Sequence, residues 1–318
     1  MPGLLPGAII YNNIGAGSIW VAASNFSSLT IGYIFKFDLK GNLITYTAVG
    51  HGAIDLTSDK QGNVWASVMN DNKLVELDPN GKIINQFNVG IRPIEIGLDP
   101  SGNVWMLNIG APCITGTCFG PQYVSSFTEV SVAGSVISGF TFSNTAFMGP
   151  FVFDQSGYIW IADEGATPQI LKMDITGSTI KSFYGGPSIP LTWTFGGIAF
   201  DHNGNLWVTD VNGNDADMVT KIYTTLNQQT ESYTMGGKHP ACIAVDHNNN
   251  IWISGGGGVG SQTVTKMSNS GVVINIYRFD QFQQTYSTCG PGAITVDGNN
   301  NIWFSDDCGD GYIVKLAP

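Results

Sequence analysis

The chain has 318 residues and a net charge of −11, and only 12% of its residues are charged. The acidic balance disfavours nucleic acid and anionic membrane surfaces as partners, because both are themselves negatively charged. No apolar run is long enough to predict a transmembrane helix, and no secretory signal is visible in this chain. The length suits a single domain over residues 1–318 that is built from repeats.

One tryptophan returns along the chain at intervals of 40 to 55 residues. Each of these tryptophans follows an apolar residue and opens a short apolar run. A period of this length indicates one supersecondary unit that is repeated, here seven times. The seven residues are Trp20, Trp65, Trp105, Trp160, Trp207, Trp252 and Trp303.

A turn precedes six of the seven tryptophans. In the segment Asp201–Trp207, as in five others, Asp opens a turn that Gly or Asn residues fill. These residue types tolerate positive φ and bond to their own backbone, so each segment is typical of a tight hairpin. Two more short runs follow each of the first six tryptophan strands, such as Lys73–Leu77 and Ile83–Phe87, and one follows the last. The pattern predicts an all-β fold, a seven-bladed β-propeller of four-stranded antiparallel blades.

The residue types also predict the order of the strands in a blade. The strand before each turn is rich in Gly and Ala, so we expect it innermost, with the tryptophan strand second and its indole packed between blades. The chain starts in an inner strand, Leu5–Ile10, and ends in a third strand, Tyr312–Leu316. The last blade should therefore lack its outer strand. Its edge is then open to assembly with another chain, unless Met1–Leu5 covers it.

The repeat resembles NHL-repeat propellers and the related virginiamycin B lyase-like propellers over nearly the whole chain. Residues 198–210 and 243–254 carry the resemblance best, as an apolar strand, an Asp-led turn and an apolar-Trp strand. It implies the propeller fold, which serves binding modules, lyases and lactonase-like enzymes. The resemblance to the lyase also implies a His with acidic partners and a magnesium ion at one face. In the lyase the repeats usually end in Trp-Phe-Thr-Glu. Here the repeats end in Asp, Asn, Gly or Ala.

The last hairpin places two cysteines opposite each other. A turn over residues 297–300 predicts that Ile294 faces Trp303. The same register brings Cys289 opposite Cys308, within reach of a disulfide.

Three further cysteines complete the set. Cys113 and Cys118 bracket four residues of the longest insertion and could form a second disulfide, whereas Cys242 is expected as a buried thiol in an inner strand. Disulfides favour an extracellular, cell-surface or virion location. The alternative is five thiols in a cytoplasmic protein.

Long, varied loops join second to third strands and lead into inner strands, and both kinds emerge on one face. Binding is expected on such a face. Asp163, Asp210 and Asp306 end tryptophan strands there and could hold Ca²⁺ or Mg²⁺ through oxygen ligands. Each could equally cap the turn that follows it. His239 and His51 each lead into an inner strand on this face and could join as a metal ligand or general base. Of the two, His239 is the candidate catalytic residue.

Aromatic residues in the loops suggest a second kind of ligand. Trp193, Phe119 and Tyr123 could form an aromatic surface near the same face, which would suit a carbohydrate or a peptide. The alternative is that they pack within their loops.

Two functions remain open on the sequence. The residues favour a non-enzymatic binding or structural propeller outside the cell or on a particle, with a protein partner or further copies of itself. The alternative is a metal-dependent lyase or hydrolase of the virginiamycin B lyase-like type, with its site on the long-loop face.

Overall fold

Each predicted turn closes a hairpin between an inner strand and a tryptophan strand. In the fifth repeat, the amide of Asp201 donates to the carbonyl of Asn205 at 2.9 Å. The amide of Gly204 donates back to the carbonyl of Asp201, also at 2.9 Å. Gly204 has a φ of 77°, and Asn249 takes the equivalent position of the next repeat with a φ of 63°. Gly and Asn adopt this left-handed conformation at low cost, so they fix where each hairpin folds.

The computed structural model describes residues 5–24, 30–110, 125–142, 148–163, 169–183, 195–210, 218–225, 229–237, 239–255, 263–279, 291–306 and 311–317. This part of the chain contains 27 β-strands and one 3₁₀ turn, Met69–Asp71. Within it, no helix has the length and apolar character needed to cross a membrane.

The strands in chain order are β1 (Leu5–Asn12), β2 (Ser18–Ser24), β3 (Ile31–Phe37), β4 (Leu43–His51), β5 (Ala53–Ser58), β6 (Val64–Val68), β7 (Lys73–Leu77), β8 (Ile83–Asn88), β9 (Pro93–Leu98), β10 (Val104–Asn108), β11 (Ser126–Val130), β12 (Val136–Thr141), β13 (Met148–Phe153), β14 (Ile159–Asp163), β15 (Gln169–Met173), β16 (Thr179–Phe183), β17 (Phe195–Phe200), β18 (Leu206–Asp210), β19 (Met218–Ile222), β20 (Thr230–Thr234), β21 (Pro240–Val245), β22 (Ile251–Gly255), β23 (Thr263–Met267), β24 (Val273–Arg278), β25 (Pro291–Val296), β26 (Ile302–Asp306) and β27 (Tyr312–Leu316).

These strands form seven sheets in chain order, six of four strands and a last one of three, β25-β26-β27. Each four-stranded sheet takes four consecutive strands, from β1-β2-β3-β4 to β21-β22-β23-β24. The predicted seven-bladed β-propeller is confirmed, and so is the three-stranded last blade among the described strands. Leu5 begins β1, while residues 1–4 of the predicted covering segment lie outside the described residues.

The chain divides into two compact units. The continuous unit is Asn12–Ser182, and the discontinuous unit is Met1–Tyr11 with Phe183–Pro318. In the continuous unit, Trp105 is fully buried and packs in one cluster with Ile159 and Ile161 of the following sheet.

The discontinuous unit repeats this packing. Trp207 is 0% exposed and lies in one cluster with Ile243, Ile251 and Ile253 of the following sheet. Because strand side chains alternate between faces, one face of β18 meets the following sheet here, as one face of β10 does in the continuous unit. The prediction that the indoles pack between blades is confirmed within both units.

The register of the last hairpin differs from the prediction by one residue. Trp303 pairs with Thr295, not with Ile294, which pairs with Phe304. The reason is that the turn closes from Asp297 to Asn301, one residue longer than expected. A bulge then shifts the register again, so that Pro291 pairs with Asp306.

Cys289, Cys308, Cys113 and Cys118 lie outside the described residues. Cys242 lies in the inner strand β21 as predicted, and it forms no disulfide with another described residue. It is half-buried, so the expectation of full burial was wrong. Its backbone amide donates to the hydroxyl of Ser254 at 2.9 Å.

Candidate functional site

Six acidic side chains that open the hairpin turns are bound into the scaffold. Each accepts a hydrogen bond from the indole N–H of the tryptophan six residues later, at 2.9–3.3 Å. In the first sheet, which lacks the turn Asp, Trp20 donates to the hydroxyl of Ser18 at 2.9 Å instead. The Asp residues are Asp59, Asp99, Asp154, Asp201, Asp246 and Asp297.

Hydrogen bonding keeps several of these carboxyl groups ionised. Burial alone would raise the pKa of Asp246, but hydrogen bonds from Trp252 and Asn250 bring it below its usual value. The same balance lowers the pKa of Asp297. Sequence reasoning missed this role, although the constant six-residue spacing between Asp and Trp was a usable signal.

A lysine completes the arrangement in several sheets. Lys221 pairs with Trp207 across the strands, and its ammonium group lies 5.1 Å from the ring centroid of that indole. The same group lies 3.7 Å from the carboxylate of Asp201. Lys221 is 4% exposed, and its ammonium group also donates to the carbonyl and Oδ1 of Asn269 at 2.8 and 3.0 Å, so its charge is satisfied within the protein. These charges belong to the core and are not available to a ligand.

The predicted metal residues end tryptophan strands as expected. Asp163 ends β14 in the continuous unit, while Asp210 and Asp306 end β18 and β26 in the discontinuous unit. The side chains of Asp210 and Asp306 are outside what the structure describes. Among the described residues, no three His, Cys, Asp or Glu side chains form a group that could hold a metal ion.

Asp163 is the predicted site residue with the most defined surroundings. It pairs with Met148 on one side and Gln169 on the other, so the three residues form one row across the fourth sheet. Asp163 is only 9% exposed, and it accepts a hydrogen bond from Nε2 of Gln169 at 2.9 Å. The residues that follow Asp163 lie outside the described part of the chain, so capping of the next turn stays a prediction.

His51 and Asp71 form a histidine–carboxylate pair on the predicted binding face. Nδ1 of His51 lies 3.0 Å from Oδ1 of Asp71, and the backbone amide of His51 donates to Oδ2 at 2.9 Å. Burial raises the pKa of Asp71, but the hydrogen bonds and charge of His51 outweigh it and lower the pKa below its usual value. The pair holds the end of β4 against the 3₁₀ turn and leaves Nε2 of the histidine as its remaining polar atom.

His239 immediately precedes β21, as predicted for a residue that leads into an inner strand, and its φ is 50°. It is half-buried. The candidate ligand-binding residues Trp193, Phe119 and Tyr123 lie outside the described residues.

Asp55 is a half-buried carboxyl group that sequence reasoning did not single out. It lies in the inner strand β5, where it accepts hydrogen bonds from the amides of Leu56 at 2.8 Å and Ile96 of the next sheet at 2.9 Å. Burial raises the pKa of Asp55 to about 7, against the lowering effect of these two bonds. A carboxyl group within an apolar inner strand, Ala53–Leu56, was the signal in the sequence.

The sequence matches no protein-family model and no curated protein. Its fold is similar to a streptogramin B lyase structure, with 16% identity, a TM-score of 0.72, and 99% of this chain and 95% of that chain covered. It is also similar to a catalytically inactive virginiamycin B lyase from Staphylococcus aureus with quinupristin, with 16% identity, a TM-score of 0.75, and 100% and 96% covered.

A third similar structure is the extracellular domain of a hybrid two-component system from B. thetaiotaomicron. The identity is 14%, the TM-score is 0.69, and the match covers 98% of this chain and 39% of that chain. The likeness to virginiamycin B lyase-like propellers is therefore confirmed for the fold, whereas the NHL-repeat likeness stays a prediction.

Proposed function

We propose that this protein is a non-enzymatic binding or structural propeller that associates with further copies of itself. The observation that carries the proposal is a row of aromatic side chains on the first sheet. Tyr33, Phe35 and Phe37 occupy alternate positions of β3, with ring centroids 6.2 and 6.3 Å apart. Tyr46 of β4 lies beside them, 5.8 Å from Phe35. These four residues are called the aromatic row below.

The aromatic row is half-buried to half-exposed, whereas two equivalent side chains of the second sheet are fully buried. Tyr46 is 50% exposed, and the three aromatics of β3 are half-buried. In the second sheet, the positions of Phe35 and Phe37 are taken by Val75 and Leu77, which are fully buried. Large aromatic side chains that the scaffold does not bury are typical of the centre of a protein interface.

The edge beside the aromatic row is also suited to pairing. β4 carries no Asp, Glu, Lys or Arg, and its Leu43 and Ile44 are both more than half exposed. Charges are the usual protection of an edge strand, so an uncharged and apolar edge favours association.

The last sheet supplies a second edge. Its β27 is the outermost described strand of that sheet, and Lys315 is its single charged residue. One chain thus offers both an apolar outer strand, β4, and a last sheet of three described strands, which is why a second copy is the partner we propose. Such unlike surfaces on each copy would join head to tail.

The location outside the cell or on a particle surface is part of the same proposal. It is supported by the low share of charged residues, 12%, and by the paired positions of the predicted disulfides. Finding the protein in the medium or on the cell surface of its source would support this location, and finding it only in the cytoplasm would contradict it.

Light scattering of the purified protein tests self-association. We expect a mass above the 33.9 kDa of one chain that falls to one chain in Tyr46→Lys, because a lysine would bring an uncompensated charge into the interface. Ile180→Lys is the matched control, since Ile180 is 54% exposed on the outer strand β16. A single-chain mass for the unchanged protein at high concentration would contradict the proposal.

The second candidate is a metal-dependent lyase or hydrolase on the long-loop face. It is supported by the likeness in fold to virginiamycin B lyase and by the His51–Asp71 pair. The described residues do not supply three ligands for the magnesium ion that this likeness implies.

Incubation with quinupristin and Mg²⁺, followed by chromatography, tests the second candidate. Loss of intact quinupristin that requires Mg²⁺ and disappears in His239→Ala would support an enzyme. A rise in melting temperature with calcium that is lost in Asp163→Asn would support a cation site. If neither is seen, the enzyme proposal fails.

A further inference from the structure

A cavity of about 380 Å³ lies within the continuous unit, between hairpin turns of the third and fourth sheets. We propose that it binds one sugar unit, a neutral ring that carries several hydroxyl groups. The cavity lies on other sheets than the aromatic row, so this inference is independent of the proposed self-association. Its main lining residues are Pro100, Ser101, Gln155, Tyr158, Asp174 and Ile175.

The cavity opens where a hydrogen bond between neighbouring turns cannot form. In the fifth sheet, the backbone amide of His202 donates to Oδ1 of Asn249 in the next turn at 2.8 Å. The same bond joins the turns of the sixth and seventh sheets at 2.9 Å. The equivalent residues of the third and fourth sheets are Pro100, which has no N–H, and Gly157, which has no side chain. These two turns therefore lack the bond and leave space between them.

An aromatic ring lines this space in place of an amide. In five of the six Asp-led turns, the residue before the apolar-Trp pair is Asn, and its side-chain nitrogen donates to the turn Asp. In the fourth sheet this residue is Tyr158, and Nζ of Lys172 lies 3.1 Å from the carboxylate of Asp154 instead. The same ammonium group lies 4.2 Å from the ring centroid of Tyr158. The exchange thus places a ring in the cavity while Asp154 keeps a partner.

The polar groups of the cavity are accessible and include both donors and acceptors. Ser101 and Gln155 are exposed, and Tyr158 is half-buried. Within the described part of the chain, the two hydroxyl groups and the side-chain amide of these residues make no hydrogen bond. Oδ1 of Asp174 accepts three bonds from its own turn at 2.6–3.0 Å, and Oδ2 accepts none of them. A ligand can therefore reach two hydroxyl groups, one amide and one carboxylate oxygen.

The charge of the cavity selects the kind of ligand. Hydrogen bonds from Thr176 and Ser178 lower the pKa of Asp174 below its usual value, so this carboxyl group is ionised. The described lining residues include no Lys, Arg or His to balance it, so an anion is disfavoured. No three His, Cys, Asp or Glu side chains of the described residues come together, as a metal ion would need. An ammonium group would use the carboxylate alone, whereas a ring with several hydroxyl groups also uses the hydroxyl groups and the amide.

The apolar groups of the cavity suit the C–H groups of a sugar ring. Tyr158, Pro100 and Ile175 line it, and Ile175 is 52% exposed. A pyranose carries C–H groups on its faces and hydroxyl groups around its edge. Its faces can cover the aromatic and aliphatic side chains while its edge meets the polar groups. The volume lies at the lower end of the range of small-molecule pockets, about 300–1,000 Å³, which suits one sugar unit.

Two sets of ligands distinguish the sources of such a sugar. We would titrate the protein with the methyl glycosides of glucose, galactose and mannose, and with the three free sugars, and follow binding by NMR. Binding of a methyl glycoside indicates a unit of a glycan, and binding of free sugars alone indicates a soluble sugar. Either result supports the site. Binding of none of the six, or tighter binding of Nα-acetyl-lysine methylamide than of any sugar, would contradict it.

Variants then assign the binding to this cavity. Gly157→Asn should fill the opening and weaken sugar binding at least about tenfold. It should also fold, because a Cβ at Gly157 meets no atom within 4 Å and Asn tolerates its φ of 83°. Tyr158→Asn restores the residue of the other five turns and should weaken binding by a similar factor.

Gly41→Asn is the matched control. It makes the same change in a turn of the first sheet, where the φ is 88° and a Cβ also meets no atom within 4 Å. It should keep the full affinity for the sugar. The inference is overturned if both cavity variants, shown to be folded by urea unfolding, bind as tightly as the unchanged protein, or if the control loses as much affinity as they do.

Discussion

The hydroxyl of Ser254 donates to the carbonyl of Gly292 at 2.7 Å and accepts from the amide of Cys242 at 2.9 Å. It thereby joins the sixth sheet to the seventh. It also gives a hydrogen-bond partner to a backbone amide at the bulge in the inner strand of its own sheet. The hydroxyl of Thr209 makes the same two bonds one sheet earlier. It accepts from the amide of Gly197 at 2.7 Å and donates to the carbonyl of Ala241 at 3.1 Å. In each case the residue lies two positions after the tryptophan, so the bulge in one sheet is tied to the start of the next.

Ser254→Ala should destabilise the protein by about 1–3 kcal/mol, because it leaves a buried amide and a buried carbonyl without a partner. The measurement is the free energy of unfolding by urea. Ser270→Ala, at an exposed turn, is the control and should stay within about 0.5 kcal/mol of the unchanged protein. Equal effects of the two changes would show that the hydroxyl does not join the sheets.

Trp207→Ala should cost about 3–5 kcal/mol, because the indole is completely buried and the cavity left behind cannot fully collapse. Ile274→Ala is the control, since Ile274 is 53% exposed on the outer strand β24. A loss below about 1 kcal/mol for the tryptophan variant would mean that Trp207 is not a core residue.

Asp55 should make the protein less stable as the pH rises from about 4 to about 7. Burial raises the folded pKa to about 7, above the unfolded value of 3.8, so the folded state binds the proton more tightly. Its contribution is most favourable below pH 3.8 and declines up to pH 7, by at most about 4 kcal/mol. Asp55→Asn should flatten this part of the stability curve, and an unchanged slope would contradict the raised pKa.

Cys289 and Cys308 should form a disulfide. Each lies two residues beyond the pair Pro291 and Asp306, which is the last described pair of that hairpin. Peptide mapping without reduction should recover their two peptides linked. Alkylation of both thiols in protein kept under oxidising conditions would refute the pairing.

The sequence predicted the fold because the determinants of the fold are local and repeated. The turn around Gly204 and the apolar run at Trp207 recur at a fixed spacing, and each specifies one hairpin. The register of Ile294 was missed by one residue, because the turn closes from Asp297 to Asn301, and a run of three Asn residues does not specify which of them closes the turn.

The candidate site was less predictable because it depends on contacts between sheets. The sequence showed that Asp163 ends a strand, but not that Gln169 would hold its carboxylate. The aromatic row was also missed, since alternate aromatics in β3 are as typical of a buried strand as of an exposed one. Only the packing tells the two apart.

Cross-linking from Tyr46 tests the proposed self-association most directly. A photoreactive amino acid would replace Tyr46 in one sample and Ile180 in another, because both positions lie on outer strands and are about half exposed. We predict covalent dimers from position 46 on illumination and none from position 180. Absence of dimers from position 46, or equal yields from both positions, would contradict association through the aromatic row.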